Sequence, residues 1–225
     1  MPIRDGSARA QDPSLRDVLE REELQFLRIR YNAHDSIYAA GETDDSLYLI
    51  ESGQVKVYLS SESGKDCLLA IYADGDVFGE SCFAGSEKRH ESAAAMLPTT
   101  VRRIARRDAV AEVTRAGAME ALLRHLSTRA VEREQAVFDL GTMSAERRLA
   151  KVLLELAQKL GAEDGGFLHI VQRISHEELS QIVGTTRPRI TAFMQQFRKL
   201  GLIDTSGPRS IRVHRQKTID YLAAD

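Results

Sequence analysis

The chain has 225 residues, 43% apolar and 28% charged, with five prolines, no tryptophan and a formal charge of −2. That balance suits a globular chain with apolar material for two cores and excludes the fibrous, mucin-like and disordered classes. Two cysteines, Cys67 and Cys82, are too few for a disulfide scaffold or a four-thiolate metal site, so packing roles and a reducing cytoplasm are expected.

Residues 1–14 are polar, carry proline, glycine and serine, and are expected to be disordered. No signal-peptide core is present and no window reaches ~18 apolar residues, so no membrane segment is expected. Leu15, Val18, Leu19, Leu24 and Leu27 among dense charges predict a short helix or pair of helices over 15–30. From Asp35 to about Arg107 the pattern becomes short apolar runs such as Leu47–Ile50, Val55–Leu59 and Val101–Ile104. Gly41, Gly53, Gly64 and Gly75 punctuate them at intervals of 12, 11 and 11 residues. Evenly spaced turns between short β-rich runs predict an antiparallel β-roll, which makes 15–107 one domain.

After Arg107 the period is helical, and 108–141 is expected to be a dimerisation helix. Met119, Leu123, Leu126, Ala130, Arg133 and Val137 advance by 4, 3, 4, 3 and 4 residues, the a and d positions of a heptad. Such a seam calls for a second helix from another copy of the chain, or else for burial against the β-roll. Arg133 is anomalous there, because a buried guanidinium needs a counter-charge. Glu134 of a partner helix or a ligand would supply one. Gly141–Ser144 is expected to end the helix as a hinge. An amphipathic helix follows over Ala145–Leu160, ended by Gly161, and a short hairpin or loop over 162–173.

Residues 142–225 are expected to form a winged helix-turn-helix domain. Ser175 and Glu178 form a capping box, and Gly184 can stop the helix that they start. Thr186 is a candidate N-cap of the next helix, with Pro188 tolerated in its first turn. On that second helix Ile190, Phe193, Phe197 and Leu200 share a core side, while Arg187, Thr191, Gln195 and Arg198 recur on another. A helix of this kind enters the major groove, where Arg187 can bond guanine bidentately and Thr191 and Ala192 can touch a thymine methyl. Arg189 suits a phosphate. Two short strands around Ser206-Gly207-Pro208 make a wing with Arg209 near its tip. Ser175, His176 and Thr186 complete the expected DNA contacts.

Charge supports this placement. Residues 1–141 carry 18 Lys and Arg against 24 Asp and Glu, whereas 142–225 carry 13 against 9. Residues 187–217 hold eight Lys and Arg against Asp204 alone, a net +7 over 31 residues, the size of footprint that phosphate binding uses. His34, His125 and His169 are expected to be surface or internally satisfied groups.

Gly41-Glu42, Leu47-Tyr48-Leu49-Ile50, Gly53, the run Gly75-Asp76-Val77-Phe78-Gly79-Glu80, and Ile182–Arg187 together resemble the CRP/FNR family of bacterial transcription regulators. The likeness covers roughly residues 20–215. It implies an α+β chain with an N-terminal cyclic-nucleotide-binding-type antiparallel β-roll (jelly roll), a long dimerisation helix and a C-terminal winged helix-turn-helix. It further implies a cytoplasmic homodimer, not an enzyme, that binds a two-fold operator in double-stranded DNA and contacts RNA polymerase. In members that bind cyclic nucleotides, such as cAMP or cGMP, a Glu after Phe-Gly holds the ribose hydroxyl and an Arg nine or ten residues on holds the phosphate. Glu80 and Arg89 match that pair, so the implied effector site comprises Gly79, Glu80, Ser81, Arg89 and His90, with Arg133 from the helix.

Two departures count against a cyclic nucleotide: the residues flanking Arg89, and the dimer helix, which offers Arg133 and Glu134 where cAMP-responsive members offer hydroxyls to the adenine. His90 and Glu91 stand where small residues are expected, and a register two residues later puts Glu91 itself at the Arg position. Pro188 stands where the family often has a Glu that reads cytosine, so a different half-site is expected. Two other readings stay open: an effector-independent regulator of the same fold, and a nucleotide-binding regulatory subunit that docks a protein.

Overall fold

Ser14 and Asp17 each accept the other's backbone N–H and so start α1 (Leu15–Leu19), which buries Leu15, Val18 and Leu19. Ser14 is therefore part of the fold and not of a disordered leader. The computed structural model describes residues 13–170, 174–207 and 210–224; the expectations for residues 1–12 and for Arg209 lie outside them.

Eight strands follow: β1 (Leu27–Tyr31), β2 (Ser36–Tyr38), β3 (Ser46–Ser52), β4 (Gln54–Ser60), β5 (Asp66–Ala73), β6 (Val77–Phe78), β7 (Ser92–Ala95) and β8 (Thr99–Ala105). The helical expectation for 15–30 fails over its second half. Leu27–Tyr31 is a strand because β8 offers it an antiparallel ladder from Leu27↔Arg103 to Tyr31↔Thr99. The strands form two four-stranded antiparallel sheets, β1-β8-β3-β6 and β2-β7-β4-β5.

Alternation along β3 explains its unbroken apolar run. Tyr48 and Ile50 enter the core between the sheets with Tyr38, Val55, Tyr72 and Phe78. Leu47 and Leu49 face the other way and pack with Val18, Leu19, Val113 and Leu122. On β5 the same alternation buries Leu68 and leaves Cys67 exposed, against the expectation that both cysteines pack; Cys82 is buried, which pushes its thiol up to about 12.

The stretch expected to be one helix is two: α2 (Arg106–Arg115) and α3 (Met119–Thr142), separated at Ala116–Ala118. Of the proposed seam, Leu126 packs against its own chain's β-roll beside Leu122. Met119, Leu123, Ala130, Arg133 and Val137 are exposed, and Val131, Phe138 and Leu140 join them.

The break comes after Gly141, at Met143 and Ser144. Ser144 caps α4 (Ala145–Leu160) by accepting from Arg147 N–H. Gly161 ends that helix where a Cβ would lie 2.2 Å from the Ala157 carbonyl oxygen. Then come β9 (Ala162–Asp164), β10 (Phe167–Ile170), α5 (His176–Val183), α6 (Arg187–Leu200), β11 (Ile203–Gly207), β12 (Ser210–His214) and α7 (Arg215–Ala223).

The last four strands make one sheet in the order β11-β12-β10-β9. The final helix, not expected from the sequence, is fastened to α4 and α6: Arg147 of α4 donates to the carbonyls of Leu222 and Ala224 at 2.7 and 2.6 Å, and Phe197 of α6 meets Tyr221 edge-on at 5.7 Å. No helix among the described residues is long and apolar enough to cross a membrane.

Candidate nucleic-acid interface and β-roll pocket

The capping box of α5 forms as expected, with Ser175 and Glu178 each bonding the other's N–H. Gly184 takes φ 70°, a conformation that costs a side-chain-bearing residue about 1 kcal/mol or more, and turns the chain into α6. Thr186 is the N-cap of α6 by conformation, but its side chain makes no capping bond. Pro188 at the second position removes one of the two N–H groups that such a cap can accept from, and Thr186 does not take the other, on Arg189.

Ile190, Met194 and Phe197 anchor α6 in the core, which includes Leu149, Leu153 and Val183. Met194 replaces Leu200, which was expected inside and is 50% exposed. Thr186, Arg187, Arg189, Ala192 and Gln195 all lie exposed, so five of the expected contact residues share an open helix surface.

Three expected contacts, Ser175, His176 and Thr191, are half-buried, and their side chains are engaged within the fold. Thr191 donates to the Arg187 carbonyl at 3.1 Å and lies 3.0 Å from His176 Nδ1. Ser175 donates to Glu178 at 2.8 Å. Thr191 therefore has its methyl, more than its hydroxyl, to offer a base. Within the basic segment Arg212 is built into the sheet, 3.0 Å from His169 Nε2, over the Phe167 ring and 3.6 Å from Asp204.

In the β-roll, Gly79 and Glu80 begin a short 3-10 turn, and Glu80 is 9% exposed. Its carboxylate is 3.0 Å from both His125 Nε2 and Arg129 Nε. Burial by itself would raise the Glu80 pKa; the His125 hydrogen bond, the backbone and the Arg129 charge outweigh it and hold the group below the ordinary carboxylate value. The expected cation from the helix, Arg133, is exposed instead. Arg129, one turn earlier, occupies that role, which sequence reasoning missed; its signal was the four-residue spacing from His125 on the α3 face nearest the roll.

Arg89 is buried, its side chain 0% exposed. It donates to Asp44 at 2.7 and 3.0 Å, to the Gly79 carbonyl at 2.7 Å, and to the Ser46 carbonyl, and its guanidinium stacks 4.2 Å over the Tyr38 ring. Asp44 also accepts from Arg103 and Tyr48, at 2.8 Å each. Burial opposes the Asp44 charge, but the bonds from Arg89 and Tyr48 dominate and pull its pKa down to about 2. Glu91 is buried too, accepting from Ser81 at 2.9 Å and Tyr38 at 3.2 Å. His90, expected in the site, is exposed.

Residues 28–115 match a cyclic nucleotide-binding domain and residues 147–218 a Crp-like helix-turn-helix domain. The chain belongs to the CRP/FNR family of transcription regulators. It is 34% identical over 175 residues to the CRP-like cAMP-activated global transcriptional regulator of Mycobacterium tuberculosis, covering 76% of this chain and 77% of that one. It is 26% identical over 200 residues to the cyclic AMP receptor protein of Thermus thermophilus, 88% of each. FixK2 from Bradyrhizobium japonicum shares the fold, with a TM-score of 0.78 at 23% identity over 90% of this chain and all of that one.

As a CRP/FNR regulator the chain combines an α+β fold with a helix-turn-helix. Its two regions differ in how their charges are met: by partners inside the roll, by open surface on α6.

Proposed function

We propose that two copies of this chain pair along α3 and set two α6 helices into successive major grooves of a two-fold operator in double-stranded DNA. The observation that carries this reading is the exposed surface of α6, with Arg187, Arg189, Ala192 and Gln195 together on a helix whose other side is locked into the core. Exposed Leu123, Val131, Val137 and Phe138 on α3 support a second copy as its partner. Membership of the family supports RNA polymerase contact and a cytoplasmic location.

For the effector, the chemistry of the roll favours DNA binding without a cyclic nucleotide. Arg89 is saturated by Asp44 and two carbonyls, and Glu91 sits nearby. A cyclic phosphate taking Arg89 from Asp44 would have to offset the roughly 3–5 kcal/mol lost on breaking a buried ion pair. That weakens binding by about two to four orders of magnitude. The contrary reading, cAMP or cGMP held by Glu80 and Arg89, is supported by the domain match and by the cAMP-activated relative.

Both readings meet one experiment. Duplexes are selected from a random pool by the purified protein, with and without cAMP or cGMP, and the winners are titrated against salt. Palindromic winners in both arms, with affinity falling about 10³-fold or more between 50 and 200 mM salt, are expected. No duplex in either arm overturns the DNA reading; winners only with nucleotide overturn effector independence.

A further inference from the structure

The DNA-binding part hangs from α3 by Met143 and Ser144, both extended, at ψ 146° and 153°. Two extended residues do not by themselves hold a domain at a fixed angle. The α4 helix is a lever about 24 Å long, and a swing of ten degrees moves a domain carried at that radius by about 4 Å. That exceeds the ~3.4 Å rise of one base pair. Whatever fixes α4 relative to α3 therefore sets the distance between two half-sites.

Both ends of the lever are fixed. Near the joint, Lys151 meets Asp139 of α3 at 2.5 Å. At the far end, Lys159 meets Asp76 of the β-roll at 2.8 Å, donates to the Ile71 carbonyl at 3.1 Å, and stands 4.7 Å over the Tyr72 ring. The same ring carries Arg129 of α3 at 4.5 Å, so roll, α3 and α4 converge on Tyr72. Leu68 and Ile71 of β5 are part of the core of the DNA-binding domain, and Lys56 lies 3.5 Å from Glu178 of α5. In this braced arrangement the contact surface of α6 stays open.

We infer that Lys159, seated on Tyr72 and Asp76, is a positioning residue that braces each DNA-binding domain against its own β-roll and so makes the dimer selective for half-site spacing. This rests on the proposed dimer on a two-fold operator.

The test uses the full chain and duplexes selected by wild-type protein, remade with one base pair inserted or removed between the half-sites. Wild-type protein should lose on the order of 30-fold in affinity on either change, because one half-site falls out of register. In Lys159→Met, and in Asp76→Asn, which breaks the pair from the other side, the loss should shrink to about 3-fold. Lys159→Arg, which keeps the charge and the donors, should restore discrimination. A variant that weakens every duplex equally, or leaves the spacing penalty unchanged, overturns the brace. Wild-type protein that binds no duplex overturns the proposed function, and the brace with it; wild-type binding with unaltered variants overturns the brace alone.

Discussion

Arg89 in the β-roll and Arg187 on α6 are the same side chain under opposite conditions. Arg89 is enclosed, with donors to Asp44, Ser46 and Gly79 and a ring beneath it. Arg187 is exposed at the start of a helix. A guanidinium marks a binding site only when the fold leaves its donors for something else; where carboxylate and carbonyls already surround it, it is part of the scaffold. The resemblance pointed to Arg89 and the helix-turn-helix reading to Arg187 as ligand contacts, and the surroundings separate them.

The largest expected effect breaks the enclosed side of that comparison. Asp44→Ala leaves Arg89 buried without its counter-ion and should cost about 3–5 kcal/mol in urea unfolding, whereas Arg187→Ala should change stability by no more than about 0.5 kcal/mol. Equal costs would erase the distinction.

Acid sharpens the same point. The Asp44 carboxyl is held from 3.8 down to about 2 in the folded chain, so its contribution is present above the unfolded value and disappears as pH falls from about 4 through 2. At 1.36 kcal/mol for each pH unit, that is about 2–3 kcal/mol. Urea midpoints measured between pH 5 and 2.5 should fall less steeply in Asp44→Asn; parallel slopes would contradict the pairing.

On the open side, Arg187→Ala should cost about 1–3 kcal/mol of base discrimination at one position in each half-site, read by repeating the selection with the variant. An unchanged consensus would remove Arg187 from the groove. The smallest effect concerns neither region directly: Ser175→Ala removes the α5 cap and should cost about 1 kcal/mol of stability, checked by the thermal midpoint.

How far the sequence could be read differs along the chain. The capping box of Ser175 and Glu178, the Ser144-to-Gly161 bounds of α4 and the Gly184 turn lie in spans of a few residues, and all were legible. Leu27 was misread because apolar spacing in so short a stretch fits helix and strand alike, and the decision belonged to β8. Thr186 was read as a side-chain cap from residue type and position, whereas whether its hydroxyl takes the donor that Pro188 leaves, the Arg189 N–H, depends on side-chain orientation. Arg133 was chosen over Arg129 because a heptad identifies a stripe on α3, while the residue that reaches Glu80 depends on where the roll sits beside that helix.

Sequence alone therefore determined what hydrogen bonds within a turn or two decide: where helices start and stop, where glycine turns the chain, and that a basic helix follows a short capped one. Only the tertiary structure decided which charges meet. Asp44 lies 45 residues from Arg89, Glu80 49 from Arg129, and Lys159 83 from Asp76. Pairings at such separations are set by which faces the packed sheets and helices bring together, and no local preference of the backbone encodes them.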